Sequence, residues 1–503
     1  MNPLDGLLYG FSVALGAENL LAALLGALVG TLVGVLPGLG PAGAMAILLP
    51  LTLGLRPETA VIVLAGIFYG AMYGGSTTAI LLNLPGEPAA VVTAIDGYQM
   101  AQRGRAGAAL AVAAVGSFVA GTLGVVALTL FAPALAQVAL LLGPPEYFAI
   151  ALLGLLALSR LSGGSVWQGL LVLGLGLAVA TVGLEPVSAT TRYTFGIVPL
   201  AQGIDLVPVA MGLFGLAEVL LVAERAGGLP RPPGVGLRDL LPNRAEWRRA
   251  LPAILRGSGV GFLVGLLPGP AAVLSTFASY RLERRLARQP QEFGHGAIEG
   301  VAGPESANNA AASAMLVPLL AIGLPFAPAA ALLLAALTLH GVQPGPLLVQ
   351  DHPAVFWGVV ASMYLGNLAL LILNLPLVGL WLSALRLPQP ALLAGVLLFM
   401  LVGTYGVNNS LIDLFVLLAM GLLGYGLRKL KIGVSPLVLA VVLGPLLEKS
   451  FRQSLYLSAG SLDIFITRPL SGMLLAVTLA LFVLPPLRRL LAGRGRAPAA
   501  ATE

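Results

Sequence analysis

The chain has no cysteine and only three histidines among its 503 residues. The first absence excludes disulfides, thiolate metal sites and cysteine nucleophiles, and leaves the compartment open. The histidines, His295, His340 and His352, show no metal-ligand spacing and fall in polar loop contexts. Charge is scarce too, since only 10% of residues are Asp, Glu, Lys or Arg, against 58% hydrophobic. A soluble protein of this size cannot hide that much apolar surface. No Walker-type phosphate loop is present, so direct drive by ATP is unsupported. No nucleophile–base pair or metal constellation stands out, so the chain reads as a non-enzyme with no bound cofactor. The net charge of +6 comes from loop arginines that orient a membrane protein, and implies no nucleic-acid partner. The N-terminal Met-Asn-Pro-Leu-Asp lacks a positive n-region, so no cleaved signal peptide is expected.

What is abundant is apolar sequence in runs of about 20 residues, each long enough to cross a ~30 Å hydrocarbon core. Glycine (64) and proline (37) are also frequent. Membrane helices tolerate both, because small residues allow close packing and neighbours re-satisfy interrupted backbone bonds. The expected fold is an all-α polytopic membrane protein embedded in a lipid bilayer.

Basic clusters fix a topology. Arg103/Arg105, Arg225 to Arg256, Arg281 to Arg288, Arg428/Lys429/Lys431 and Arg488 to Arg496 are assigned to the cytoplasm. The apolar stretch between Arg256 and Arg281 has basic flanks on both sides and is broken by Pro268-Gly269-Pro270, which predicts a re-entrant hairpin. The remaining stretches give about eleven crossings, at roughly 60–100, 106–129, 131–158, 165–184, 197–222, 308–340, 354–384, 389–406, 411–427, 433–447 and 470–487. This arrangement puts the N-terminus outside and the C-terminal arginines inside.

The chain repeats itself. Gly30-Thr-Leu-Val-Gly34-Val-Leu-Pro37-Gly38 matches Gly261-Phe-Leu-Val-Gly265-Leu-Leu-Pro268-Gly269, and Leu84-Pro85-Gly86-Glu87-Pro88-Ala89-Ala90 matches Leu324-Pro325-Phe326-Ala327-Pro328-Ala329-Ala330. The offsets are 261 − 30 = 231 and 324 − 84 = 240. Two ordered matches argue for duplication. The expected organisation is an N-terminal half, 1–224, with a hairpin at 19–54 and a broken helix at 60–100; a cytoplasmic linker, 225–256; a C-terminal half, 257–490, with a hairpin at 257–280 and a broken helix at 308–340; and a cytoplasmic tail, 491–503. On the charge-derived topology the two halves are inverted. Gly-xxx-Gly alone is often only a helix-packing device. Paired Gly/Pro interruptions in inverted repeats point further, to a secondary transporter's binding site near the bilayer midplane.

A broken helix exposes amide N–H groups at one half-helix start and carbonyls at the other half-helix end, which suit an anion and a small cation respectively. Nearby polar residues are Tyr73, Ser76, Thr77, Thr78 and Asn83 in the first half and Ser306, Asn308, Asn309 and Ser313 in the second. The substrate-site candidates are Gly38, Gly40, Ser76, Thr77, Thr78, Ser306, Asn308, Asn309 and Ser313. Gly38, Asn83 and Gly269 are the candidates for a sodium ion, which prefers hard oxygen donors. The carboxylates near these elements are Glu87, Asp96 and Glu305. Glu87 or Glu305 is the candidate proton carrier should coupling be to protons.

Gly30 to Pro41 (GTLVGVLPGLGP), Tyr73 to Ala89 (YGGSTTAILLNLPGEPA), Gly303 to Ala310 (GPESANNA), Asp351 to Trp381 and Leu443 to Ser454 (LGPLLEKSFRQS) resemble the large membrane subunit of tripartite tricarboxylate transporters, the TctA family. The resemblance covers nearly the whole chain. It implies a permease in the bacterial inner membrane that imports citrate-like di- or tricarboxylates by cation symport, usually with sodium, through an elevator-type movement. It also implies a small TctB-like membrane subunit and a periplasmic, TctC-like binding protein as partners. The chain departs from the family's usual pattern at Pro270-Ala271 and Phe326-Ala327, the two second-copy breaks, and at Glu185 and Ala189. These departures keep other readings open: a proton-coupled carrier of aromatic or monocarboxylic acids, or a channel-like membrane protein.

Overall fold

The computed structural model describes residues 2–35, 40–161, 165–185, 190–224, 241–384 and 389–493. These residues are overwhelmingly helical. Among them the only strands are Gly183–Leu184 and Thr191–Arg192, paired antiparallel.

The chain begins with α1 (Pro3–Ala14), α2 (Ala17–Val35), α3 (Gly40–Leu48), α4 (Pro57–Leu82) and α5 (Ala90–Gln102). Next come α6 (Ala106–Ala139), α7 (Pro144–Leu161), α8 (Val166–Ala180), α9 (Leu206–Ala210) and α10 (Ala217–Glu224), the last two joined by a π-helical turn at Met211–Leu216. The second copy of the repeat holds α11 (Arg244–Gly265), α12 (Ala271–Leu286), α13 (Glu299–Ala314), α14 (Leu316–Ile322) and α15 (Pro328–Leu339). The rest is α16 (Leu348–Asp351), α17 (Pro353–Asn374), α18 (Val378–Ala384), α19 (Gln389–Asn408), α20 (Leu411–Lys429), α21 (Ser435–Leu457), α22 (Ile464–Thr467) and α23 (Pro469–Gly493).

Seven helical segments among the described residues are long and apolar enough to cross a membrane: 17–35, 57–82, 106–139, 206–224, 353–374, 390–408 and 411–429. The protein is an all-α polytopic membrane protein. Several segments differ from the sequence expectation of about eleven crossings. The boundary expected between 129 and 131 is absent, because α6 runs unbroken for 34 residues through Pro133. Proline interrupts a soluble helix but is tolerated where neighbouring helices restore its lost bond. Conversely α2, expected as one arm of a short hairpin, is a 19-residue apolar helix of spanning length. The stretch 354–384 divides into α17 and α18. Residues 225–240 of the expected linker and 494–503 of the expected tail lie outside the described residues, while 244–256 form the first turns of α11.

Helix α4 is the centre of the fold: 94% of its most apolar window is buried, against 11% for α19. What holds it is small-residue packing, since lipid supplies no hydrophobic drive for one helix to seek another. Gly26, Gly30 and Gly34 of α2 lie directly against the backbone of Val63, Ile67 and Ala71 of α4, so that a Cβ at any of the three would collide with a carbonyl oxygen. Gly257 and Gly261 of α11 lie in the same way against Gly303 and Ala307 of α13. The GxxxG pairs read as repeat signatures are thus also the packing seams of both copies.

The two broken helices end alike. Asn83 closes α4 in a left-handed conformation (φ 56°), and the Leu84 amide donates to the Thr78 carbonyl. Gly323 closes α14 in the same conformation (φ 80°), and the Leu324 amide donates to the Pro318 carbonyl. Each pair of equivalent positions is separated by 240 residues, the offset of the second sequence match (323 − 83, 324 − 84 and 318 − 78).

Candidate functional site

The ends of the interrupted segments meet. A cavity of about 350 Å³ is lined by Gly40 at the start of α3, Gly86–Ala89 at the first break, Gly269–Val273 at the turn into α12, and Ala327–Ala329 at the second break. Helices α3, α12 and α15 therefore each present their first turn to one space, and α5 begins just beside it. The first N–H groups of a helix have no intrahelical acceptor and carry a partial positive charge. Phe68 and Met72 of α4, Leu158 of α7 and Phe214 of the π-helical turn supply apolar walls.

Two of the turns need glycine. Gly40 adopts φ 61° and Gly269 φ 137°, both in the left-handed half of backbone space that side chains disfavour. Gly86 is needed for another reason. It is wedged between α2 and α4, so a Cβ there would strike the Gly34 carbonyl oxygen and come within 2.6 Å of the Gly75 Cα.

Among the described residues one cation reaches the cavity wall. Arg428, near the end of α20, is paired with the buried Glu218 of α10 and also donates to the Leu213 carbonyl at 3.3 Å. Leu213 lies in the π-helical turn, where the backbone pairing is shifted. π-Turns recur at functional sites for this reason.

Beside the cavity lies a buried polar belt. Glu87, which lines the cavity, accepts a 2.5 Å hydrogen bond from the Asn308 amide of α13. One turn earlier on α13, Glu305 accepts from Ser76 of α4 at 2.6 Å, Thr93 of α5 at 2.8 Å and Ser117 of α6 at 3.3 Å. Asn309 donates to Ser117 at 2.7 Å. Polar groups at this depth persist only when bonded, and here residues from both copies of the repeat bond one another.

The structure sorts the residues expected from the sequence. Gly40 and Gly269 face the cavity, and Asn308 adjoins it through Glu87. Ser76 and Asn309 converge on Glu305, and Thr77 lines a small void beside them. Thr78 and Asn83 form the cap of α4, and the Asn83 side chain is exposed. Ser306 and Ser313 instead press against α6, where a Cβ on Gly116 or Gly124 would meet them at 2.8 Å and 2.6 Å. Gly38 lies outside the described residues, as does Ala189. Phe326 turns away from the cavity and packs against α7 at Gly154.

Asp96 has a different place. Fully buried, it accepts from the amides of Gly294, Gly296 and Ala297 at 2.7–2.9 Å and from the Tyr280 hydroxyl at 2.9 Å. It ties α5 to α12 and to the loop that leads into α13.

Sequence reasoning did not single out Arg428, Thr93 or Ser117 for the site. By the charge rule Arg428 marks only the cytoplasmic side. Thr93 and Asp96 are a polar i, i+3 pair in a helix with an otherwise apolar buried face, a signal available in the sequence. Ser117 sits in an alanine- and glycine-rich run and carries no such signal.

Comparison with known proteins gives no solved structure that matches this chain. A protein of Agrobacterium vitis, described as an uncharacterized 52.8 kDa protein in the TAR-I ttuC′ 3′ region, is 46% identical over 488 residues, 96% of each chain. A second from the same organism, from the TAR-II ttuC′ 3′ region, is 47% identical over 224 residues, covering 44% of this chain and 93% of its own length. The family described as "Tripartite tricarboxylate transporter TctA family" matches residues 20–439. With that match spanning both repeat copies and every segment that lines the cavity up to Ser435, the chain belongs to the tripartite tricarboxylate transporter TctA family.

Proposed function

We propose that the chain is the permease subunit of a binding-protein-dependent secondary transporter that imports di- or tricarboxylates across a bacterial inner membrane, with sodium as the coupling cation. The single observation that carries this reading is the convergence of both breaks and both hairpin ends on one 350 Å³ cavity. Helix starts favour a carboxylate group without placing an unpaired cation in the membrane. Arg428 places a guanidinium, its charge balanced by Glu218, at the wall. Apolar walls of Phe68, Met72 and Phe214 fit the carbon skeleton. A larger and more open cleft of about 1010 Å³ lies between α7, α15 and α21. It meets only one of the two breaks, at Gly323, so the smaller cavity is the preferred cargo site.

In an elevator-type cycle the cavity and the helices around it move together against the rest of the protein. A periplasmic binding protein delivers the cargo, and a small membrane subunit completes the complex. The half-organisation at 1–224 and 257–490 supplies the paired hairpins this movement needs.

The test is uptake by proteoliposomes that hold both membrane subunits, with the binding protein outside. A panel of carboxylates is offered under a sodium gradient and, separately, a proton gradient. Saturable, binding-protein-dependent uptake of a di- or tricarboxylate driven by sodium is the expected result. Uptake without the binding protein, or current that does not saturate, would overturn it.

A further inference from the structure

Glu305 is 0% exposed, and among the described residues it forms no ion pair. Its partners are all donors. Ser76, Ser117 and Asn309 point at Oε1, and Thr93 points at Oε2. The Asn309 amide also donates to the Ser117 hydroxyl at 2.7 Å. That bond occupies a lone pair of the Ser117 oxygen and turns its hydrogen toward Glu305. All four bonds can be accepted at once only by the ionised form of the carboxyl group. In that form, with no ion pair beside it, the group is a favourable neighbour for a cation.

A void of about 10 Å³ lies against it, lined among others by Tyr73, Thr77, Ser117, Glu305 and Asn374. That is room for one water-sized particle. Two oxygens on its wall have no partner. They are the Tyr73 hydroxyl and the Asn374 side-chain carbonyl, on residues 3% and 4% exposed. The Asn374 amide nitrogen is already committed to the Leu370 carbonyl, so its oxygen is the free end. A water would satisfy these oxygens and leave the charge unanswered. A cation satisfies both. The donors are all hard oxygens, which excludes soft metals. One carboxylate suits a single positive charge, and no group of three or more His, Asp or Glu stands together among the described residues.

We infer that this void is a dehydrated sodium site, with the Glu305 carboxylate, the Tyr73 hydroxyl and the Asn374 carbonyl oxygen as ligands. The site differs from the one expected at Gly38, Asn83 and Gly269. It joins the cargo cavity through two consecutive residues: Asn309 reaches Glu305, and Asn308 reaches Glu87 on the cavity wall. Its role in coupling rests on the proposed transport function, whereas the binding of the ion does not.

The experiment measures ²²Na⁺ binding by scintillation proximity, with the full-length chain in nanodiscs and no carboxylate present. Saturable binding is expected, competed by unlabelled sodium and not by choline. E305Q keeps the shape and removes the charge, and lowers affinity by about 100-fold or more. Tyr73→Phe and Asn374→Leu each remove one ligand and lower it by about 5- to 30-fold. The Tyr73 variant also guards against a Glu305 variant that does not fold. Undiminished binding in folded E305Q, or no saturable sodium binding by the wild-type chain, would overturn the assignment. Sodium binding that fails to drive carboxylate uptake would overturn the proposed function and leave this site standing. Sodium-driven uptake with full binding in E305Q would do the reverse.

Discussion

Asn308 donates its side-chain amide to Glu87 at 2.5 Å, across the two copies of the sequence repeat. Among the described residues it is the one side-chain hydrogen bond between the cavity wall at the first break and helix α13. Asn308→Ala leaves a buried carboxylate without its donor. Substrate uptake is expected to fall at least 10-fold, with a stability loss of about 1–3 kcal/mol. Proteoliposome uptake and thermal unfolding of the same preparation read both. Unchanged uptake would remove the pair from the transport path.

Asp96 gathers three backbone amides and the Tyr280 hydroxyl. Asp96→Asn replaces an acceptor of four bonds by a group that accepts at only one oxygen, so a loss of about 2–4 kcal/mol is expected. Tyr280→Phe removes a single bond and costs about 1 kcal/mol. A ranking of melting temperatures with Asp96→Asn below Tyr280→Phe below wild type checks this.

Gly86→Ala places a methyl against the backbone of both α2 and α4. Neither helix backbone can yield as a flexible side chain would. The break must shift, and with it the cavity wall. Loss of uptake together with a lower melting temperature is expected, while Gly54→Ala, with open space around it, leaves stability within about 0.5 kcal/mol.

Phe326 lies at the second break, one of the places where the sequence departs from the pattern that the family resemblance implies. Its ring packs on Gly154 and is 7% exposed. Phe326→Ala is therefore expected to cost about 3–5 kcal/mol of stability. The rank order of competing carboxylates in an uptake assay stays as in the wild type.

Glu448 supplies a pH dependence. The hydrogen bond from Arg192, then its charge and that of Arg452, hold the Glu448 carboxyl below the ordinary value. A lowered folded-state value means the pair stabilises the fold above the ordinary carboxylate range, near 4.5, and loses that contribution as pH falls through and below it. Both partners are partly exposed, so the effect is about 1 kcal/mol. Glu448→Gln is expected to melt lower than wild type at pH 7, and the gap narrows as pH falls below the ordinary carboxylate range. A gap that persists in acid would show that the charge is not the cause.

Much of this arrangement is legible in the sequence, for identifiable reasons. Pro and Gly mark where a helix must stop, so the breaks near Asn83 and Gly323 were located to within a residue or two. Asn2 followed by Pro3 is a helix-start signature, and the Asn2 side chain does cap α1 by accepting from the Asp5 amide. Side-chain direction is what spacing hides. Ser306 and Asn309 lie three apart on α13, yet one meets the backbone seam of α6 and the other meets Glu305. Arg428 was hidden by a rule. Arginine near a span is read as a loop marker, and nothing local shows that Glu218, some 210 residues away, draws it inward.

The helix starts around the cavity have a consequence for descent. An amide N–H belongs to the backbone, and no substitution short of proline removes it. A preference for negative charge built on α3, α12 and α15 therefore survives changes to almost every side chain on the walls. Changes at Phe68, Met72 or Phe214 would alter the outline of the cavity and leave the sign of the charge it favours alone. On the proposed function, a lineage with this scaffold exchanges one acid for another by repainting a few apolar positions, without passing through an ancestor that had lost its grip on anions.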